Sequence, residues 1–252
     1  MQYTQSYVKL FLILLTLAII SCAEFPVNTL SGQWIPIDNK NVVEEKRQEA
    51  VRGLLALAKK SKSPALFLYR QEESRDFVMD FFTNLTGSRD IALPILYYSD
   101  KYNVPLFVSF SLSYIESEYY PYAINENVSS IDRGLFQLNS KTFPYLEEDD
   151  FFNPDINAKY GIQHISYCLR EAKSEVLALA YYNAGKYRVV TGGTPAMTLR
   201  YIEKYFTFKN KLEEKFFSYM NSVADVSSNN IEKYFKSYNG ELKPVDTNKT
   251  TQ

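Results

Sequence analysis

The spacing of apolar residues, together with proline, glycine and capping residues, constrains the fold of this 252-residue chain more than any other feature. One segment, over about 42–60, has the i, i+3, i+4, i+7 spacing of an amphipathic helix in Val51, Leu54, Leu55 and Ala58. Further helices are predicted from Ser74 to Gly87, from about Asp90 to Tyr102, from Pro105 to Pro121, from Asn153 to about Ala172, from Ser174 to Gly185, from Thr194 through Phe206 and on to about Tyr219, and near Ile231. Strand-like alternation is nearly absent, so the sequence predicts an all-α fold.

Composition narrows the class of protein. The chain is 46% hydrophobic and 23% charged, enough apolar material for one sizeable core in a single domain with appendages. Its formal net charge of -1 gives no basic surface for nucleic acid, so no nucleic-acid partner is expected. Most of the 21 Tyr and 17 Phe residues are expected to pack in the core or on amphipathic surfaces.

The N-terminus is predicted to be a targeting segment, residues 1–21. The apolar run Leu10–Ile20 is too short to span a bilayer but has the length of a signal-peptide core. It leads into Ile-Ile-Ser before Cys22, which resembles the lipobox of bacterial lipoproteins, where this cysteine is lipidated; an ordinary secretory signal is the alternative. Residues 22–41, with two prolines and no periodicity, are interpreted as a tether. We therefore expect a lipid-anchored membrane protein of the cell envelope that faces the periplasm, with the outer membrane favoured over the inner.

Glu116 is the candidate catalytic residue. It ends an apolar helix, and a carboxyl group placed against apolar side chains resists ionisation, as a glycosidic general acid must. The alternative is a surface glutamate at a helix C-terminus, where the macrodipole disfavours a carboxylate. Two blocks follow in order, residues 134–139 (GLFQLN) and 182–185 (YNAG). Together the three blocks predict a carbohydrate-cleaving site.

The same blocks resemble the soluble lytic transglycosylase (SLT) domain, which shares its fold with goose-type lysozyme. The motifs that carry the resemblance are Ile115-Glu116-Ser117, Gly134-Leu135-Phe136-Gln137, Asn153-Pro154 with Ile156-Asn157 and Gly161, Ala180 to Gly185, and Thr198 with Tyr201-Ile202. The resemblance implies a lysozyme-like domain over 93–206. Residues 42–92 would then be an N-terminal helical extension, and residues 207–252 a C-terminal helix and polar tail.

The resemblance implies cleavage of the β-1,4 bond between N-acetylmuramic acid and N-acetylglucosamine in peptidoglycan. The muramyl C6 hydroxyl attacks C1 and leaves a 1,6-anhydro end, while Glu116 first donates a proton and then accepts one. Ordinary glycosidases need a second carboxylate, but the motif blocks supply only one; assistance from the sugar's own acetamido group removes that need. No cofactor is expected. The alternatives are a hydrolytic muramidase, with a water held by Asp132, and a non-catalytic glycan-binding lipoprotein that uses residues 42–92.

Substrate contacts are also carried over from the family pattern. Ser117 would bind the acetamido or peptide-bearing region, or would simply be a hydroxyl at a helix end. Phe136 would form an apolar wall of the cleft, and Gln137 would exchange hydrogen bonds with sugar hydroxyls. Asn139 would add a polar contact or form a turn.

Two late tyrosines and an asparagine complete the predicted site. The Tyr182 hydroxyl would orient the catalytic carboxyl, and Asn183 would contact substrate or, more in keeping with its position, hold the helix end by local hydrogen bonds. Tyr201 is a candidate for the cleft wall, with core packing as the alternative.

His164 and Cys168 have the i, i+4 spacing of a metal-ligand pair, but two ligands make no closed site. We therefore expect no metal, a structural histidine and a small core cysteine. Because a lipidated Cys22 leaves Cys168 without a partner, no disulfide is expected.

Overall fold

A computed structural model describes residues 39–225, and this part of the chain is mostly helical. The predicted all-α class is therefore confirmed. The predicted signal peptide with Cys22, nearly all of the predicted tether and the predicted helix near Ile231 lie outside the described residues. No helix within residues 39–225 is both long enough and apolar enough to cross a membrane.

Residues 39–225 form ten helices and one small sheet. The helices are α1 (Asn39–Ala58), α2 (Pro64–Tyr69), α3 (Glu72–Thr86), α4 (Arg89–Tyr102), α5 (Leu106–Ser117), α6 (Glu148–Phe152), α7 (Pro154–Ala172), α8 (Glu175–Ala184), α9 (Lys186–Gly192) and α10 (Ala196–Ala224). The strands are β1 (Ile124–Glu126), β2 (Ile131–Arg133) and β3 (Leu138–Asn139), antiparallel in the order β1-β2-β3. In the sheet, Asp132 lies opposite Asn125 on one side and Asn139 on the other.

Capping residues set the starts of two predicted helices. α7 begins as predicted because the Asn153 side chain accepts hydrogen bonds from the backbone N–H groups of Asp155 (3.0 Å) and Ile156 (3.4 Å). The Ser174 hydroxyl likewise accepts from Leu177 N–H at 3.3 Å and opens α8. The prediction for Ser74 is wrong. α3 begins two residues earlier, and the buried Ser74 hydroxyl instead donates to the Leu68 carbonyl at 2.7 Å.

Several elements differ from the sequence-based expectation. α5 ends at Ser117, before Pro121, because Glu118 adopts a left-handed conformation with φ 52°. The two predicted helical stretches after Pro195 form one continuous helix, α10. α2, α6 and α9 and the three strands were not predicted, since elements of two to seven residues are too short to show a period.

The core joins the N-terminal helices to the helix that ends at Glu116. The rings of Phe82 in α3 and Phe110 in α5 are stacked with centroids 3.9 Å apart. Phe216 of α10 lies with its ring centroid 5.8 Å from that of Phe82, and all three side chains are fully buried. Helices α3, α5 and α10 therefore share one core, and the segment 42–92 packs directly against the helix that carries the candidate acid.

Candidate active site

Glu116 lies in the last turn of α5 and faces a cleft of about 650 Å³. The cleft brings together residues that are far apart in sequence, from α5, the small sheet, α7 and α8. Among the predicted site residues, those that line it are Glu116, Gln137, Asn139, Tyr182 and Asn183. Asp132 and His164 line it as well.

The Glu116 carboxyl group has one strong hydrogen-bond partner. The Tyr201 hydroxyl donates to Glu116 Oε1 at 2.5 Å. The pKa of Glu116 is raised to about 8. Burial is the main cause, the hydrogen bond from Tyr201 acts in the opposite direction, and the negative charge of Asp132 contributes to the rise. The carboxyl group is therefore mainly protonated at neutral pH, as a general acid requires.

The structure exchanges the roles that the sequence suggested for two tyrosines. Tyr182 was predicted to orient the catalytic carboxyl, but its hydroxyl donates to the Phe136 backbone carbonyl at 2.8 Å. Tyr201, predicted as a cleft wall, makes the bond to Glu116 instead. Tyr201 reaches the carboxyl because it lies in the second turn of α10, and α10 packs along α5.

Two predicted substrate contacts are occupied or hidden. The Ser117 hydroxyl donates to the backbone carbonyls of Leu135 (2.9 Å) and Ser113 (3.1 Å), so it holds the turn after β2 against α5. Phe136 is fully buried, with its ring against Gly161 of α7, and is not among the side chains that line the cleft. Ser117 thus follows the alternative structural role, and the prediction of Phe136 as a cleft wall is wrong because the ring points into the core.

Gln137 and Asn139 keep positions at the cleft. Gln137 has a left-handed backbone with φ 47°, and its side-chain amide donates to the carbonyls of Ala123 (3.1 Å) and Gly134 (3.0 Å). Its side-chain amide nitrogen is therefore used within the protein, while the residue itself lines the cleft. The Asn139 amide donates to Asp132 Oδ1 at 2.6 Å and Ser130 Oγ at 2.8 Å. Asn139 therefore braces the sheet edge that borders the cleft.

Asn183 has a non-local partner. Its side-chain oxygen accepts a hydrogen bond from the Thr198 hydroxyl at 2.7 Å, which ties the end of α8 to the first turn of α10. The predicted local hydrogen bonds are replaced by this contact. Because Tyr201 is three residues beyond Thr198, the Asn183 contact fixes the part of α10 that presents Tyr201 to Glu116.

Sequence reasoning did not recognise the structural importance of Asn157, a fully buried side chain in α7. Its amide donates to the carbonyls of Phe151 (2.7 Å) and Arg133 (3.0 Å), and its carbonyl accepts from Phe136 N–H (2.8 Å). Gly134 adopts φ 78°, and a Cβ there would lie 2.1 Å from the Phe151 carbonyl oxygen. The close approach at Gly134 is therefore to the protein's own backbone, and Asn157 holds that turn in place. The Asn-Pro-x-Ile-Asn spacing was the available signal.

No group of three or more His, Cys, Asp or Glu side chains in the described part of the chain is placed to hold a metal ion. His164 lines the cleft with its ring centroid 5.0 Å from that of Tyr182, and burial lowers the pKa of its imidazole. Cys168 is buried, and burial raises the pKa of its thiol to about 12, which makes it a poor nucleophile.

Comparison with known proteins gives one result. The family model for the transglycosylase SLT domain matches residues 94–199, a range that holds Glu116, the sheet and helices α6 to α9. No curated protein and no solved structure matches the chain.

Proposed function

We propose a specific reaction for this chain, whose residues 94–199 form a domain of the transglycosylase SLT family. That family membership indicates activity of the lytic transglycosylase type on peptidoglycan. The reaction is cleavage of the β-1,4 bond between N-acetylmuramic acid and N-acetylglucosamine, with a 1,6-anhydromuramyl end as product. The observation that carries the proposal is the position of the Glu116 carboxyl group at the cleft, where it accepts a hydrogen bond from Tyr201 and where burial raises its pKa.

Glu116 acts first as an acid and then as a base. Since Oε1 accepts the hydrogen bond from Tyr201, the proton is placed on Oε2 and passes to the glycosidic oxygen as the bond to C1 breaks. The acetamido group of the muramyl sugar stabilises the positive charge at C1. The resulting Glu116 carboxylate then takes the proton from the C6 hydroxyl, whose oxygen bonds to C1. The hydrogen bond from Tyr201 stabilises this carboxylate, and the starting protonation state is restored.

The surroundings of Asp132 favour this reaction over hydrolysis. Of the described residues that line the cleft, only Glu116 and Asp132 carry carboxyl groups. Asp132 accepts hydrogen bonds on both oxygens, from Asn139 at 2.6 Å and from Asn127 at 2.8 Å. Amide groups therefore hold both Asp132 oxygens as a brace of the sheet, whereas an inverting muramidase uses its second carboxylate to activate a water. The C6 hydroxyl also has an advantage over water, because a well-placed intramolecular group reaches an effective concentration of ~10⁵ M or more.

Digestion of purified peptidoglycan in ¹⁸O-water tests the product. We expect 1,6-anhydromuramyl ends without label, and we expect Asp132→Asn to leave the ratio of anhydro to reducing ends unchanged. Substantial ¹⁸O at the new muramyl C1 would instead identify a hydrolase. Glu116→Gln, in which the amide cannot transfer a proton, is the inactive control, with a loss of roughly 10²–10⁴-fold or more. Turnover near that of the wild type by the folded variant would remove Glu116 from the mechanism.

We also propose that the protein is anchored to a membrane of the cell envelope by lipid on Cys22. The support is the lipobox-like Ile-Ile-Ser-Cys sequence after an apolar run too short to span a bilayer. Labelled fatty acid should appear on the wild-type protein and be lost in Cys22→Ala. Label retained by the variant would contradict the anchor.

A further inference from the structure

The C-terminal end of α1 carries positive charge that no acidic side chain neutralises. The sequence contains no Asp or Glu between Glu49 and Glu72. In this interval Lys59, Lys60 and Lys62 are exposed, and none of them has an ion pair or a side-chain hydrogen bond in the described part of the chain. The whole chain has a formal net charge of -1. The three lysines therefore form a local basic surface on a nearly neutral protein.

An exposed leucine lies beside these lysines. The inward side of α1 is buried through Val51, Leu55 and Ala58. Leu57, by contrast, is 55% exposed, and its carbonyl accepts a hydrogen bond from Lys60 N–H at 3.0 Å, which holds the lysine next to the leucine. The helix macrodipole favours cations near a helix C-terminus, but it gives no reason for an exposed leucine among them. Leucine and lysines together suit a surface that is negatively charged outside and apolar beneath.

We propose that the basic end of α1, defined as Leu57, Lys59, Lys60 and Lys62, binds the surface of a membrane that contains anionic phospholipids. The lysine ammonium groups contact the lipid phosphates, and Leu57 enters the boundary between the headgroups and the acyl chains. A soluble polyanion would bind the lysines but would gain nothing from the leucine. A lipid surface is therefore the ligand that accounts for both kinds of side chain.

The proposed lipid anchor can bring this surface to the membrane, so the inference rests on that part of the proposed function. The chain from Cys22 to Asn39, where α1 begins, spans up to about 60 Å when it is extended. α1 itself is about 30 Å long. The chain is therefore long enough for the far end of α1 to reach the lipid surface that carries the anchor. A single acyl chain and a basic patch can also act together, because each adds to the membrane affinity of the other.

Binding at this end of α1 leaves the cleft clear of the lipid. The Arg52 guanidinium donates to the Ala224 carbonyl at 2.8 Å, so α1 packs at the C-terminal end of α10. Tyr201, which bonds to Glu116, lies about 35 Å away along the same helix. A membrane bound at the basic end of α1 is therefore nearer to the end of α10 that is remote from the acid, and the cleft stays open to a glycan strand.

Partition onto vesicles tests the basic end of α1 without the anchor. The full chain with Cys22→Ala is mixed with vesicles of phosphatidylcholine alone, or of phosphatidylcholine and phosphatidylglycerol in equal amounts, and the bound fraction is measured after sedimentation. The ratio of the two partition coefficients cancels any binding by the apolar run Leu10–Ile20. We expect this ratio to be roughly tenfold or more at ~0.1 M NaCl and to approach one at ~1 M, where salt screens the charges.

Replacing the three lysines identifies the surface that responds to lipid charge. In the Cys22→Ala background, Lys59→Gln, Lys60→Gln and Lys62→Gln together should lower the partition onto anionic vesicles by roughly tenfold to a hundredfold, since each lysine contributes a factor of about five. The matched control replaces three exposed lysines outside this surface with glutamine, namely Lys141, Lys204 and Lys211. This control changes the net charge equally and should keep most of the binding.

Leu57→Ala distinguishes a lipid surface from a soluble polyanion. It should lower the partition onto anionic vesicles by roughly threefold to tenfold, because a smaller apolar side chain leaves water. The proposal would be overturned by a lack of preference for anionic vesicles, by equal losses in the two triple variants, or by a Leu57→Ala protein that binds as well as its parent. Since Cys22 is absent throughout, these results do not depend on whether it is lipidated, which labelled fatty acid measures separately, or on the reaction at Glu116.

Discussion

At the scale of single residues, the proton on Glu116 is controlled by two opposing influences. Burial favours the neutral carboxyl group, and the Tyr201 hydrogen bond favours the carboxylate. Both states occur in the proposed reaction, one before and one after proton donation. Tyr201 is therefore a positioning residue whose contribution is seen in the pH dependence as well as in the rate.

We expect kcat/KM for glycan cleavage to fall as the pH rises above about 8, because the free enzyme then loses the proton that Glu116 must donate. The Tyr201 hydrogen bond stabilises the Glu116 carboxylate, so its removal in Tyr201→Phe should raise the pKa of Glu116. The fall of kcat/KM at alkaline pH should therefore move to higher pH, and the maximal kcat/KM should be lower than in the wild type. Tyr182→Phe is the comparison, because the Tyr182 hydroxyl bonds to the Phe136 carbonyl. Profiles of kcat/KM against pH measure this shift. If the alkaline fall occurs at the same pH in Tyr201→Phe as in the wild type, Tyr201 does not stabilise the Glu116 carboxylate.

Glu116→Gln should make the fold more stable, and more so at higher pH. The pKa of Glu116 is raised from 4.5 to about 8 in the folded protein, so between these values the unfolded chain releases a proton that the folded chain keeps. Stability of the wild type therefore falls as the pH rises from 4.5 to about 8, whereas glutamine does not titrate. We expect the difference in unfolding free energy to be near zero at pH 4 and a few kcal/mol, roughly 2–4, at pH 8.

Denaturant unfolding at several pH values measures this difference. Glu49→Gln, at an exposed position on α1, is the matched control. If the difference in unfolding free energy between Glu116→Gln and the wild type does not change with pH, Glu116 keeps its ordinary pKa in the folded protein.

The position of Glu116 at the end of an apolar helix was readable from the sequence, because the apolar character of α5 is a local property of residues 106–117. Which of the two tyrosines, Tyr182 or Tyr201, contacts Glu116 was not readable from the sequence. It depends on how α10 lies against α5, a contact between segments 85 residues apart, as the Tyr201–Glu116 bond shows. Phe136 was misjudged for the same reason, since its ring packs on α7.

At the scale of secondary-structure elements, Asn157 of α7 holds the turn that follows β2. We expect Asn157→Asp to lower the free energy of unfolding by roughly 2–4 kcal/mol, because a carboxyl group in place of the amide faces the carbonyls of Phe151 and Arg133 without two donors. Asn84→Asp, at an exposed position on α3, should change stability by less than about 0.5 kcal/mol. Equal losses from the two variants in urea unfolding would contradict the role of Asn157.

The elements that the sequence predicted are the long helices with capping residues, such as α7 with Asn153 and Pro154. The small sheet was not predictable by periodicity, because its strands have only two or three residues. What holds it is a set of side-chain bonds around Asp132, from Asn127 and Asn139, which no local pattern in the sequence reports.

At the scale of the whole molecule, the N-terminal helices stabilise the helix of the candidate acid. Phe82→Ala should lower the free energy of unfolding by about 3–5 kcal/mol, since it opens a cavity against Phe110 and Phe216. Leu57→Ala, on the exposed face of α1 (55% exposed), is the control and should have little effect. A small effect of Phe82→Ala on thermal unfolding would mean that the segment 42–92 folds independently of α5.

The family of the central domain was predicted from its ordered motifs, and that prediction is confirmed. The packing of residues 42–92 was not predictable, because it rests on large aromatic side chains that lie on one helix and meet rings from two others. The Arg52 guanidinium adds a further link, as it donates to the Ala224 carbonyl at 2.8 Å and joins the first described helix to the end of α10.

The continuity of α10 has a consequence for how this protein can evolve. Its 29 residues place Tyr201 at Glu116 near one end and Phe216 in the aromatic core near the other. Each added residue turns the helix by about 100° and lengthens it by about 1.5 Å. One inserted or deleted residue between these positions would therefore remove either the tyrosine from the acid or the phenylalanine from the core. In descendants of this gene, the stretch 202–215 should accumulate substitutions freely on its exposed side while its length stays fixed.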